Sequence, residues 1–186
     1  MKTYVMTAVA VCLCLTVQVS GLNFSQVQIE STVGSGANEA MIVFDWKSGT
    51  TPSHAWLFQW DGTAVVADAY NAIQLATPTF SWSQAAFVTE LDYNDGSELH
   101  LGNGDGWMSF WNSGDGESWN TNNFSVFDQP LIDGDWSGAN PEVSPPNWSW
   151  PGPAPTVPLV PEPASIGLLL GGVTLLRSRR LRGVKS

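Results

Sequence analysis

Positive charge is scarce in this 186-residue chain: seven Lys and Arg face 17 Asp and Glu, with two His. Six of the seven bases lie at the ends, Lys2 near the start and Arg177, Arg179, Arg180, Arg182 and Lys185 in the final ten residues. Across residues 22–160, Lys47 stands alone against 16 acids, a formal charge of −15 with no Arg. Such a surface repels nucleic acid and anionic lipid, which excludes nucleic acid as a partner. It leaves almost no ordinary salt bridges, so stability must come from packing. Cysteine is confined to Cys12 and Cys14. Phosphate-binding glycine loops, dinucleotide fingerprints and a serine-elbow motif are all missing. His54 and His100 have no Cys or second His at metal-ligand spacing, so the sequence offers no catalytic residue and the chain is expected not to be an enzyme.

Long hydrophobic runs are missing too. Residues 8–17 form an apolar stretch broken only by Thr16, after the single charge of Lys2, and Val19 and Gly21 place small residues where a signal peptidase cuts. Residues 1–21 are therefore expected to be a signal peptide and the chain to be exported. Both cysteines lie within that segment, so the processed protein would hold no thiol. At the other end, residues 164–176 are uncharged, about 20 Å long if helical at ~1.5 Å per residue. A bilayer core of ~30 Å calls for about 20 apolar residues. Flanked by the basic cluster, which favours the cytoplasmic side, the segment suits a short, transient membrane anchor.

The order Pro161-Glu162-Pro163, hydrophobic stretch, then Arg177, Arg179, Arg180 and Arg182 resembles the PEP-CTERM sorting signal of bacterial exported proteins. The resemblance covers about 26 residues, 161–186. It implies processing at or near Pro161-Glu162-Pro163 by an exosortase-type transpeptidase, with loss of the hydrophobic segment and the basic tail (177–186). It also implies a place in the cell envelope or outside the cell. The middle of the chain is loosely similar to exported PEP-CTERM proteins without assigned activity, through Trp60-Asp61-Gly62-Thr63, the segment 107–111 and Asp133-Gly134-Asp135-Trp136. That likeness supplies no catalytic residue.

Residues 22–139 hold enough chain for one core. They are rich in tryptophan, with ten Trp in the whole chain, all between Trp46 and Trp150. Strands are expected over 24–29, 41–46, 53–60, 86–91 and 106–112, with edge strands near 118–120 and 124–127. Val66, Ala69, Tyr70 and Ile73 recur at helical spacing, which predicts one helix over about 63–77 with Thr63 as its N-cap. Beyond Asp133 regular structure should fade, and residues 140–160, dense in proline, read as an extended spacer. The expected fold is α+β, a small and mostly antiparallel sheet with one helix; an all-β sandwich is the alternative if the helix fails.

Three constellations bear on function. Acidic, Gly-rich loops around Asp92, Asn94, Asp95 and Asp105 supply oxygen ligands of the kind Ca²⁺ takes. Their spacing departs from the EF-hand, with Gly96 one place early and Asn103 where a bidentate Glu belongs, and turn-making by Asp-Gly and Asn-Gly pairs is the preferred explanation. A structural Ca²⁺ is thus the one cofactor to test for. Trp56 with Trp60, and Trp107 with Trp111, each share a strand face at four-residue spacing, serving a core or a platform for sugar rings. Paired carboxylates of a small glycoside hydrolase would have to come from many acids of which none stands apart. The expected function is a non-catalytic surface or extracellular-matrix protein associated with exopolysaccharide, with a carbohydrate-binding module as the alternative.

Overall fold

The hydrophobic run Met41-Ile42-Val43-Phe44 explains the centre of the molecule. In β2 (Asn38–Asp45) every residue from position 40 onward is buried. Ala40, Ile42 and Phe44 enter the larger core, while Met41 and Val43 enter a smaller core on the opposite face. A strand covered on both faces loses the apolar–polar alternation of a one-sided sheet and reads as continuous hydrophobic sequence. The computed structural model describes residues 21–47, 51–84, 88–101, 108–122, 124–141 and 153–161. The expected signal peptide (apart from Gly21) and the sorting tail beyond Pro161 lie outside the described residues, as do Asn103, Asp105, Trp107, Trp148 and Trp150.

β3 (Ser53–Trp60) pairs antiparallel with β2, Met41 opposite Leu57. Its Trp56, Phe58 and Trp60 join the larger core, and Ala55 and Leu57 the smaller one. β1 (Ser31–Gly34) runs parallel to β3, with Ser31 opposite Trp56. On the other side of β2 come β11 (Trp136–Pro141), parallel to it, then β8 (Met108–Ser113) and β9 (Asn120–Thr121), both antiparallel to their neighbours. The order of this six-stranded sheet is β1-β3-β2-β11-β8-β9.

The larger core is closed by α1 (Val66–Ala76) and by a three-stranded antiparallel sheet of β5 (Phe80–Gln84), β6 (Val88–Asn94) and β7 (Leu99–Leu101). α1 buries Val66, Ala67, Ala69, Tyr70 and Ile73, the stripe its sequence spacing predicts. Its start differs from expectation: Thr63 is not the cap, because Ala64 and Val65 first form β4 (Ala64–Val65) against β10 (Pro130–Leu131). The Asp68 carboxylate then accepts the Val65 N–H at 2.9 Å, half of a capping box. Phe44 is the aromatic hub, its ring 5.1–6.0 Å from those of Trp46, Trp56, Tyr70 and Phe80. The architecture is α+β: among the described residues there is one α-helix, the strands pair mostly antiparallel, and no barrel closes. Among the described residues no helix is long and apolar enough to cross a membrane.

Four expectations change. Residues 24–29 are not a strand: Phe24–Gln26 form a 3₁₀ turn, because Asn23 accepts the Ser25 N–H and Gln26 reaches back to the Asn23 N–H. The segment 124–127 is turn rather than strand. Regular structure does not fade after Asp133, since β11 is an interior strand. Part of the proline-rich segment also belongs to the folded unit. The Gln28 N–H donates to Pro158 O at 2.8 Å and the Val160 N–H to Gln26 O at 2.9 Å. Pro155 sits so close over Gly138 that a Cβ there would lie 2.6 Å from its Cγ. Residues 153–161, with the Phe24 turn, thereby cover the sheet face that α1 leaves open.

Candidate functional site

Strand alternation puts His54 on the same face of β3 as Trp56, Phe58 and Trp60, which aims an imidazole into the larger core. It is 2% exposed. The parallel pairing of β1 with β3 carries Glu30 alongside, its N–H donating to Ala55 O at 2.8 Å. Glu30 Oε1 lies 2.7 Å from His54 Nδ1, and Oε2 accepts the Tyr93 hydroxyl at 3.3 Å. From the far side come Asp95, in the turn after β6, and His100, in the middle of β7 opposite Tyr93.

Asp95 divides its labour. Its Oδ1 accepts the Ser97 N–H and the Glu98 N–H, both at 2.7 Å, and the Ser97 hydroxyl at 2.8 Å. The backbone N–H of Ser97, then its hydroxyl and the Glu98 N–H, hold this carboxyl well below the usual carboxylate range. Its Oδ2 is turned inward, 3.4 Å from His100 Nε2 and 3.8 Å from His54 Nε2. The two Nε2 atoms are 3.3 Å apart while the ring centres are 5.0 Å apart, so the imidazoles converge through their Nε2 corners.

Aromatic rings wall the cluster. Trp46 and Tyr93 stack near-parallel to His100, at 5.6 Å and 6.3 Å, and Tyr93 meets His54 edge-on at 4.9 Å. Burial, followed by the charges of Glu30 and then Asp95, pushes the Tyr93 hydroxyl up to about 12, so it stays a neutral donor to Glu30. His100 Nδ1 is buried without a hydrogen-bond partner among the described residues. Glu30 orients His54: a carboxylate only accepts, so Nδ1 carries a proton, and in the neutral imidazole Nε2 presents a lone pair. Three Lewis bases therefore meet at one point, a geometry that holds a cation or shares a proton.

The residues singled out from sequence are placed differently. Trp56, Trp60 and Trp111 are buried, Trp111 donating its indole N–H to Asn140 Oδ1 at 3.1 Å, so their faces pack the interior rather than face a sugar. Trp107 lies outside the described residues. Of the oxygen set for Ca²⁺, Asn94 Oδ1 accepts the Gly96 N–H at 2.9 Å and Asp95 Oδ1 caps its own turn. Asp92 is paired within β6, opposite Ser81 and Leu101, and Asp105 lies outside the described residues. Asn94 and Asp95 thus each spend one side-chain oxygen on building the turn. The His–Asp–His convergence was missed because 46 residues separate the two histidines. The readable signal was His54 falling in phase with Trp56, Phe58 and Trp60.

Away from this cluster, a concavity of about 350 Å³ opens beside β8, β9 and β10. Asn112, Asn120, Asn122 and Gln129 line it with Asp135, and Phe124 at its edge is 68% exposed. Asn122 is braced within it, donating to Gln129 and accepting the Phe124 N–H at 3.0 Å. Burial raises the Asp135 carboxyl above the ordinary range. No family model, no curated protein and no solved structure matches this chain.

Proposed function

We propose that the chain is an exported, non-catalytic protein of the cell surface or extracellular matrix, cut by signal peptidase and then sorted by an exosortase-type transpeptidase. One observation carries this reading: Pro161-Glu162-Pro163, an uncharged segment of 13 residues and a run of Arg177, Arg179, Arg180 and Arg182 stand in that order at the end of the chain. The −15 charge of residues 22–160 supports it, since such a surface stays soluble in a hydrated polymer matrix and attracts cationic material. Exopolysaccharide is the polymer with which such a protein would associate. The test replaces Pro161, Glu162 and Pro163 with Ala in the exporting host. The expected outcome is accumulation of an uncut, membrane-held form; release unchanged from the parent chain would count against sorting.

The alternative reading, a carbohydrate-binding module, is favoured by one feature, the groove lined by Asn112, Asn120, Asn122 and Gln129 with Phe124 at its rim. Side-chain amides bond sugar hydroxyls, and an exposed aromatic face stacks on a pyranose ring. Calorimetric titration with soluble oligosaccharides separates the readings: binding that Phe124→Ala and Asn120→Ala both abolish would make the protein a glycan binder.

A further inference from the structure

We infer that His54 Nε2, His100 Nε2 and Asp95 Oδ2 are the ligands of a divalent first-row transition ion of the Zn²⁺ kind, with Glu30 as the outer partner that orients His54. The three ligand atoms form a triangle with sides of 3.3, 3.4 and 3.8 Å. The circumradius of that triangle is about 2.0 Å, so a single point lies at Zn–N and Zn–O bonding distance from all three, which is ~2.0–2.2 Å.

A shared proton does not account for the arrangement equally well. With Nδ1–H of His54 given to Glu30, its Nε2 lone pair faces the Asp95 carboxylate oxygen. A proton on His100 Nε2 reaches toward only one acceptor at a time, and its two acceptor distances, 3.3 and 3.4 Å, both exceed the ordinary ~2.7–3.2 Å range. A dication satisfies all three bases together and neutralises the inward carboxylate. Two imidazoles and one oxygen select borderline d-block ions over Ca²⁺ or Mg²⁺, which prefer all-oxygen shells. The carboxylate–histidine contact at Glu30 is the usual outer support of such a ligand. The rings of Trp46 and Tyr93 wall the two imidazoles, and three protein ligands leave the fourth tetrahedral position of the ion to a water.

Its ligands come from β3, the β6–β7 turn and β7. The ion therefore fastens the three-stranded sheet to the six-stranded one, in a chain whose residues 22–160 have no cysteine to do so.

The experiment uses the full chain purified without chelator, analysed for bound metal by mass spectrometry, then stripped with EDTA and titrated with Co²⁺ in excess Ca²⁺. The expected result is one transition ion per chain and visible d–d bands of low-symmetry Co²⁺. His100→Gln should abolish the bands, and Glu30→Gln should weaken affinity about 10–100-fold. Because His100 is wholly buried and its replacement can unfold the chain, Glu30→Gln, at a side chain 35% exposed, serves as the second variant. Cobalt uptake that Ca²⁺ displaces, or that is unchanged in Glu30→Gln, would mark an adventitious ion on the acidic surface and overturn the assignment.

Discussion

Lys47 is the one base of residues 22–160, and removing its charge should cost more than a surface lysine normally does. It pairs with Asp45, whose side chain is 2% exposed, and its Nζ also donates to Ala154 O at 2.9 Å. Asp45 Oδ1 further accepts the Lys47 N–H at 3.0 Å and Oδ2 the Thr156 N–H at 2.7 Å. The pair thus ties the end of β2 to the proline-rich segment. Breaking a fully buried pair costs ~3–5 kcal/mol, whereas an exposed one contributes ~0–1 kcal/mol. Lys47 is 27% exposed and Asp45 keeps two backbone donors, which places Lys47→Met between these limits, at about 2 kcal/mol. At ~4 °C per kcal/mol for a domain of this size, the melting temperature should fall about 8 °C. Urea unfolding of the full chain followed by tryptophan fluorescence measures the loss. Repeating Lys47→Met in an Asp45→Asn background should recover about 1 kcal/mol or more as coupling. A loss below about 0.5 kcal/mol, or the same loss in both backgrounds, would refute the role given to the pair.

Two further outcomes are expected. Gly36→Ala should destabilise the chain by more than ~3 kcal/mol or prevent folding, because φ is +153° there and a Cβ would lie 1.9 Å from the Trp60 carbonyl carbon; wild-type-like melting of that variant would contradict the close approach. Acid should destabilise the protein in part through Asp95 and Asp115. Backbone N–H groups, of Ser118 first, then Glu117, hold the Asp115 carboxyl down to about 2, and those of Ser97 and Glu98 lower Asp95. A depressed carboxyl contributes stability that is complete above its unfolded value near ~3.9 and is lost as pH falls through the folded one. Asp135, raised by burial, works with the opposite sign. The melting temperature should therefore drop between about pH 4 and 2, less steeply in Asp115→Asn; a flat profile there would count against these turns.

Much of the architecture is legible from local pattern, and the failures have physical causes. β3 and α1 announce themselves, by alternation around Trp56, Phe58 and Trp60 and by the 3.6-residue recurrence of Val66, Ala69, Tyr70 and Ile73. β11 does not. Trp136-Ser137-Gly138-Ala139-Asn140-Pro141 has no β-branched residue and contains both Gly and Pro, the composition of a loop. It becomes an interior strand because β2 and β8 pair with it on either side, and Gly138 is needed where Pro155 and Trp119 crowd in. Residues 153–160 of the expected spacer dock on the folded unit for a related reason. Proline excludes helix but not an extended segment docked by carbonyls, such as those of Ala154 and Pro158. The histidine cluster is non-local: its members meet only because β1 pairs with β3 and the β6–β7 hairpin folds over the same face.

The intact mass of the protein recovered from the host's envelope and medium decides whether the tail is a sorting signal. The sorting account predicts loss of the first ~21 residues and of everything beyond the Pro161-Glu162-Pro163 region. A chain that keeps residues 164–186 and remains in the membrane would contradict it, leaving the tail a plain anchor.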